Sequence, residues 1–311
     1  MSIKKPIIYL FGPTASGKTD LAIELLNNFS VELISVDSVM VYKDCNIGSA
    51  KPHKEILQKY PHHLIDIKSL DDIFTVSDFC GIANSLIIEA HKNKKLPILV
   101  GGSMMYFKSL FDGIHDLPNR DDEFREELKR LKRNNSDGYL YKLLEDTDPV
   151  YANLINKNDE VRIIRALEIY KNSNKKMSNI LKEEPTNGTK NKYDVHEFGI
   201  HCDREELHKR IERRLNNMLD DGLIDEASNI LNNFKLSDDH PIKKAVNYKQ
   251  AFNFLSGKYP EDVMRDKALY ATRQLAKRQD TWMRGWRKYT ELKDGNPEIL
   301  LNSVKNLVSL L

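Results

Sequence analysis

The chain has 311 residues, 40 % of them hydrophobic and 30 % charged, with a formal net charge of +2. That balance excludes a disordered chain and a surface that is basic all over, so any nucleic-acid footprint must be local. Three scattered cysteines, Cys45, Cys80 and Cys202, with no C-x-x-C pair, speak against a disulfide framework or a structural zinc and fit a reducing compartment.

No apolar run approaches the ~18 residues that a membrane span needs, and no cleavable signal pattern opens the chain, so the expected location is the cytoplasm, away from membranes. Ile7 to Phe11 is short and apolar, ends at Gly-Pro, and reads as a buried strand. The stretch "GPTASGKT" follows and fits G-x-x-x-x-G-K-[ST] at every fixed position, with helical periodicity continuing through Leu21, Ala22, Leu25 and Leu26. Between a strand and a helix such a loop cradles phosphates. Gly12, Pro13, Thr14, Ala15, Ser16, Gly17, Lys18 and Thr19 would wrap the anion, with Lys18 on the outer phosphate and the Thr19 hydroxyl on Mg²⁺. The loop leaves open whether a nucleotide donates its terminal phosphoryl or a diphosphate departs while another group is transferred.

Val31 to Val36 reads as a second strand, ending at Asp37. Open α/β sheets place their ligands at the C-terminal ends of strands, so Asp37 is a Mg²⁺-organising carboxylate, a general base for an acceptor, or the cap of a turn. A helix is expected from Ser77, as N-cap, to Lys92, and a third strand from Pro97 to Val100, closed by Gly101-Gly102-Ser103. Two glycines there admit close backbone approach and Ser103 offers a hydroxyl, unless the stretch is an ordinary tight turn. Strand, helix and strand at this spacing predict an α/β core with a parallel sheet flanked by helices.

After Pro118 the character changes. Residues 119–192 are rich in Lys, Arg, Glu and Asn, lack strand-like runs, and carry helical patterns over Asp121 to Arg133 and Asp159 to Asn172. They read as a small all-helical insertion domain within a core made of residues 1–118 and 193–311. "VHEFGIHC" returns to the sheet, and three helical patterns complete the chain: Arg204 to Asp220, Asp225 to Phe234 and Asp262 to Arg284. On the first, Leu207, Ile211, Leu215 and Met218 form an apolar stripe, while Arg210 and Arg214 share a neighbouring face as a diphosphate fork or as a solvated pair beside Glu206 and Glu212. Arg265 to Lys288 holds eight Lys/Arg against two Asp, with Trp282 and Trp286 among Arg284 and Arg287. Such a mixture suits RNA backbone and unstacked bases; otherwise the tryptophans are core, and Trp282 is expected to be partly so. Arg162 and Arg165, three apart, could reach a second part of a long RNA.

The stretches "GPTASGKT", "ISVDSVMVYKDCNIGSAKP", "PHHLIDI", "ILVGGSMMYF", "NDEVRIIRALE", "NYKQ" and "ATRQLAKRQDTWMRGW", in this order and over nearly the whole chain, resemble the tRNA dimethylallyltransferases (tRNA isopentenyltransferases) of bacterial type. The resemblance implies a P-loop NTPase-like core and passage of a dimethylallyl group from its diphosphate to the exocyclic amine of the adenosine just 3′ of the anticodon. It implies Mg²⁺ as cofactor and a tRNA anticodon stem-loop and dimethylallyl diphosphate as partners; the sequence gives no sign of an oligomer, so a monomer is expected. Asp37 would take the amine's proton; Lys18, Thr19 with Mg²⁺, and Arg214 would neutralise the leaving diphosphate; Ser103 would bond the diphosphate or the target nucleotide. Matching the family's tRNA contacts are Asp37, Ser38, Val39 and Met40; Ser103 and Arg125; Val161, Arg162, Ile163, Ile164 and Arg165; and Lys244, Ala245, Val246, Asn247, Tyr248 and Lys249. The insertion would grip the anticodon stem. Ser103 stands where the family has threonine, Met40 where many members have glutamine, Asn247 where glycine is usual and Lys249 where arginine is usual, so position 247 is expected to need a positive φ. Two other classes, a small-molecule kinase using ATP on the same loop and a nucleotide-switched RNA-binding protein, leave the basic C-terminal helix or the acceptor chemistry without a part.

Overall fold

The computed structural model describes residues 4–293 and 295–311. The chain divides into two compact units, Met1–Phe111 with Thr189–Leu311, and Asp112–Gly188. The first unit opens with β1 (Pro6–Phe11), α1 (Lys18–Asn28), β2 (Val31–Val36), α2 (Lys54–Lys59), β3 (His62–His63), α3 (Val76–Lys92), β4 (Leu96–Gly101) and α4 (Met104–Asp112). The second unit holds β5 (Gly113–Ile114), α5 (Asp122–Asn134), α6 (Tyr139–Thr147), α7 (Pro149–Ala152), α8 (Glu160–Ser173), α9 (Met177–Ile180) and β6 (Thr186–Asn187). The first unit then resumes with α10 (Thr189–Lys192), β7 (Asp194–His201), α11 (Arg204–Asp220), α12 (Leu223–Asn233), a 3₁₀ turn (Pro241–Lys244), α13 (Tyr248–Leu255), α14 (Glu261–Arg284), β8 (Thr290–Lys293) and α15 (Glu298–Val308).

Six parallel strands form one sheet in the order β3-β2-β4-β1-β7-β8. Both faces of β1 are covered, which is why "PIIYLF" is a continuous apolar run rather than an alternating one. Ile8 and Leu10 pack with Leu21, Ala22 and Leu25 of α1 and Leu300, Val304 and Leu307 of α15. Tyr9 and Phe11 meet the rings of Phe107 and Phe111 of α4. Phe11 and Val36 both stand in register with Gly101, so the segments leaving β1, β2 and β4 emerge side by side at one edge of the sheet. That edge carries the site.

Several boundaries differ from expectation. Thr75, not Ser77, caps α3: its hydroxyl accepts from the Asp78 amide at 3.1 Å while the Asp78 carboxylate accepts from the Thr75 amide at 2.8 Å, a reciprocal box that Ser77 could not close. The strands β3 and β8 and the helices α13 and α15 add to the expected core. In the second unit β5 and β6 pair antiparallel, so it is not wholly helical. Gly113 sits there at φ 96, where a Cβ would lie 2.3 Å from the Thr186 carbonyl oxygen. The unit has its own core, with Leu128, Leu140, Leu144, Ile163, Ile164 and Leu167, and Asp121 and Asp159 cap α5 and α8.

Candidate active site

Residues 14–20 after β1, Asp37 after β2, Gly101 and Gly102 at the end of β4, and one face each of α11 and α14 enclose a cavity of ≈ 630 Å³. That volume suits a small ligand with part of a larger one. Two glycines permit the close packing at its floor: a Cβ on Gly101 would lie 2.1 Å from the Val36 carbonyl oxygen, and one on Gly102 2.3 Å from Nε2 of Gln279.

The phosphate loop turns into α1 through Gly17 at φ 88, and no capping side chain occupies the first amides of that helix. Lys18 Nζ donates to the carbonyls of Gly12 (2.9 Å) and Pro13 (2.6 Å). Burial, reinforced by the nearby Arg214 charge and opposed by Asp37, brings its ammonium down to about 7. Arg214 reaches from α11 into the cavity, its Nη2 donating to the Ala50 carbonyl at 3.1 Å and its Nη1 lying 3.5 Å from the Thr14 hydroxyl. Burial lowers its pKa, with Asp37 opposing, and the guanidinium stays charged. Its helix neighbour Arg210 pairs with Glu206 at 3.0 Å and also lines the cavity, as does Arg213.

Asp37 takes the turn-cap reading at a place where either catalytic role would act. Its Oδ1 accepts from the amides of Val39 (2.8 Å) and Met40 (3.0 Å), closing a turn, and the residue also lines the cavity. The turn fixes the carboxylate in place. Thr19, Val39 and Met40 line the same cavity, while Ser38 and Ser103 stand beside it, half-buried and not part of its wall. Among the described residues no group of three or more His, Cys, Asp or Glu side chains could hold a metal by itself.

The remaining expected RNA contacts divide. Val246 and Asn247 line the cavity, Ala245 is half-buried, and Lys244 and Lys249 are exposed. Asn247 has φ 73, the sign its place in the motif requires, and hydrogen-bonds the Gly48 carbonyl and Thr272. Tyr248, by contrast, is buried and donates to Glu226 at 2.6 Å, so its side chain is core and not RNA-facing. In the second unit Val161 and Arg162 are exposed, but Ile163 and Ile164 face the core of that unit. Arg125 and Arg165 both pair with the buried Glu168, a structural knot that occupies the two guanidinium groups expected at RNA. Trp282 of α14, expected to be partly core, is exposed, whereas Trp286, just past the end of that helix, packs on Phe11 and Phe111 and donates to Glu197 at 2.8 Å.

Two residues at the site were not expected. Gln279 of α14 accepts from the Thr14 amide at 2.8 Å and donates to the Gly102 carbonyl at 2.9 Å, tying the phosphate loop to the end of β4. Glu226 of α12 accepts from the amides of Asn46, Ile47 and Gly48 at 2.9–3.0 Å and so holds the segment that presents the Ala50 carbonyl to Arg214.

A parallel sheet with this loop at its edge, facing a carboxylate that a turn holds in place, belongs to the α/β enzymes that bind a phosphate chain beside a reacting group. The family is narrower than that class. Residues 40–286 match the model of the IPP transferases, and the chain belongs to that family. A tRNA dimethylallyltransferase of Acinetobacter baumannii is 42 % identical over 299 residues, covering 94 % of this chain and 95 % of its own. Among solved structures, the full-length tRNA isopentenylpyrophosphate transferase of Bacillus halodurans superimposes with a TM-score of 0.70 at 32 % identity, covering 98 % of this chain and 97 % of its own. A eukaryotic dimethylallyltransferase acting on tRNA reaches 0.76 at 26 % identity, covering 93 % and 74 %. No helix among the described residues is long and apolar enough to cross a membrane.

Proposed function

We propose that this chain transfers a dimethylallyl group from dimethylallyl diphosphate to the exocyclic N6 of the adenosine 3′ of the anticodon in tRNA, releasing diphosphate. The observation that carries the reading is one cavity in which Asp37 faces Lys18 and Arg214 across the phosphate loop. The kinase and switch readings find no support among the relatives named above.

The bond between the allylic carbon and the diphosphate oxygen breaks as the carbon–N6 bond forms, and the N6 proton passes to Asp37. Its Oδ1 is held by two amides, which leaves Oδ2 to take the proton. Lys18 and Arg214 stabilise the charge that grows on the departing diphosphate. Mg²⁺ fits the donor set: it is held mostly by phosphate oxygens and water, needs few protein ligands, and would take the Thr19 hydroxyl here. Bound there, the ion would supply further neutralisation of the diphosphate. To reach the cavity the adenine leaves its stack. Exposed Lys277 and Arg278 of α14, Lys244 and Lys249 in the first unit, and Val161 and Arg162 in the second are the surface positions assigned to the RNA.

The test is label transfer to an unmodified anticodon stem-loop in the presence of Mg²⁺, from dimethylallyl diphosphate and separately from γ-labelled ATP. Label from the isoprenoid in the RNA is the expected result; turnover of ATP alone would replace the reading with a kinase.

A further inference from the structure

Two tryptophans stand in the basic stretch at the end of α14, and the chemistry described above uses neither. Trp286 is accounted for by the fold, through Phe11, Phe111 and Glu197. Trp282 is not. It is 43 % exposed, and no aromatic ring or hydrogen-bond partner among the described residues engages its indole. A large flat ring left in water is a feature of surfaces that meet a partner.

Its place in the fold says where that partner lies. Trp282 follows Leu275 by seven residues, two turns of α14, and so stands on the same side of the helix. Leu275 and Gln279 line the cavity, which puts the indole beyond its wall, at the rim. The start of α4 meets α14 at the same place, because Gln279 donates to the Gly102 carbonyl at 2.9 Å. Three residues past that contact on each element stand Trp282 and Met105, the latter 53 % exposed. An exposed indole and an exposed thioether thus flank one point of the rim. The charge around them is positive. The one carboxylate between Lys277 and Arg284 is Asp280, which pairs with Arg284 at 3.0 Å, so the exposed Lys277 and Arg278 keep their charge for a polyanion. An apolar ring among cations is the composition that holds unpaired bases and their backbone.

We propose that Trp282, with Met105, forms a stacking platform at the rim of the cavity for a base of the RNA loop next to the target adenosine. The inference rests on the transferase reading for the identity of the RNA. When the adenosine swings out to bring N6 to Asp37, its neighbours in the loop lose a stacking partner. The indole replaces that partner at the mouth of the same cavity, and the polarisable sulfur of Met105 extends the surface. The platform thereby offsets part of the cost of flipping and sets the register of the loop over the cavity.

The experiment titrates the full chain with an unmodified anticodon stem-loop in the absence of the isoprenoid. Trp286 is packed and Trp282 is exposed, so binding should quench the tryptophan fluorescence, and Trp282→Phe should remove the quench while keeping a ring and most of the affinity. Trp282→Ala should weaken binding of a labelled stem-loop roughly tenfold, the range for one base stacked on an aromatic ring, with the salt slope unchanged because no charge is lost. Met105→Ala should weaken it less. An abasic nucleotide on one side of the target should cost the wild type about as much as Trp282→Ala does and cost that variant little. A quench that survives Trp282→Phe, an affinity that Trp282→Ala leaves unchanged, or an abasic penalty equal in both proteins on both sides of the target would overturn the proposal. Dimethylallyl transfer is assayed on the same preparations. Its absence in the wild type, with the quench and the abasic coupling intact, would overturn the proposed function and leave the platform standing.

Discussion

Asp37 commits one carboxylate oxygen to the turn at Val39 and Met40, so its position does not depend on substrate. Asp37→Asn retains an oxygen that can accept from both amides while removing the base. It is expected to lower kcat by ~10²–10⁴ with little change in the KM for dimethylallyl diphosphate, read by steady-state transfer. Normal turnover in this variant would remove Asp37 from the chemistry. Lys18 titrates at about 7 in the free site because burial and Arg214 disfavour its ammonium form. A bound diphosphate favours that form and raises the value. Binding therefore takes up a proton between the two values: affinity is fully present below about 7 and falls as pH rises toward the bound value. Titration of inorganic diphosphate from neutral to alkaline pH should show this fall in the wild type and lose it in Lys18→Arg, which stays charged throughout.

At the scale of elements, much of the core is announced by the chain itself. The all-buried β1, the strand β2 with its terminal Asp37 and the stripe of α11 follow from apolar spacing alone, and α15 carries the same helical spacing in Leu300, Val304 and Leu307. The edge strands carry no such signal: β3 is two histidines, and Leu292 is the one buried residue of β8. The site is legible where it is local, in the phosphate loop and Asp37. It is not legible at Gln279 or Glu226, whose partners are backbone amides 265 and about 180 residues away and whose residue types give no warning. The Glu168 pairing is legible only in part: Arg165 stands three residues before it on α8, a local spacing, whereas Arg125 is 43 residues away. Glu226→Gln should weaken the grip on residues 46–48, speed amide exchange there and raise the KM for the isoprenoid several-fold through Ala50 and Arg214. Unchanged exchange would mean that α12 does not hold this segment. Burial disfavours the Glu168 carboxylate, but hydrogen bonds from Arg125, the Asp121 amide and Arg165 outweigh it and hold its pKa below the ordinary value. Its contribution to stability is thus present above the usual glutamate range and lost as pH falls through the depressed value. Glu168→Ala, which strands two arginines, is expected to destabilise the second unit by ~3–5 kcal/mol, read by urea unfolding.

For the whole molecule, a net charge of +2 hides a strongly basic segment in Arg265 to Lys288. Binding of an anticodon stem-loop should weaken steeply with added salt, and Lys277→Ala with Arg278→Ala should lower the slope of log affinity against log salt by roughly one to two, the value for two lost phosphate contacts. A slope that does not change would move the RNA footprint off α14. The sheet order has a consequence for the chain as it is made. β1 is synthesised early but lies between β4 and β7, and β7 begins at Asp194, after the whole second unit. Throughout that interval a growing chain carries a fully apolar strand with one unpaired edge, while the second unit, with a core of its own, can already close. Chains arrested on the ribosome before residue 194 should therefore engage chaperones or aggregate, and those released after β7 has emerged should do so far less.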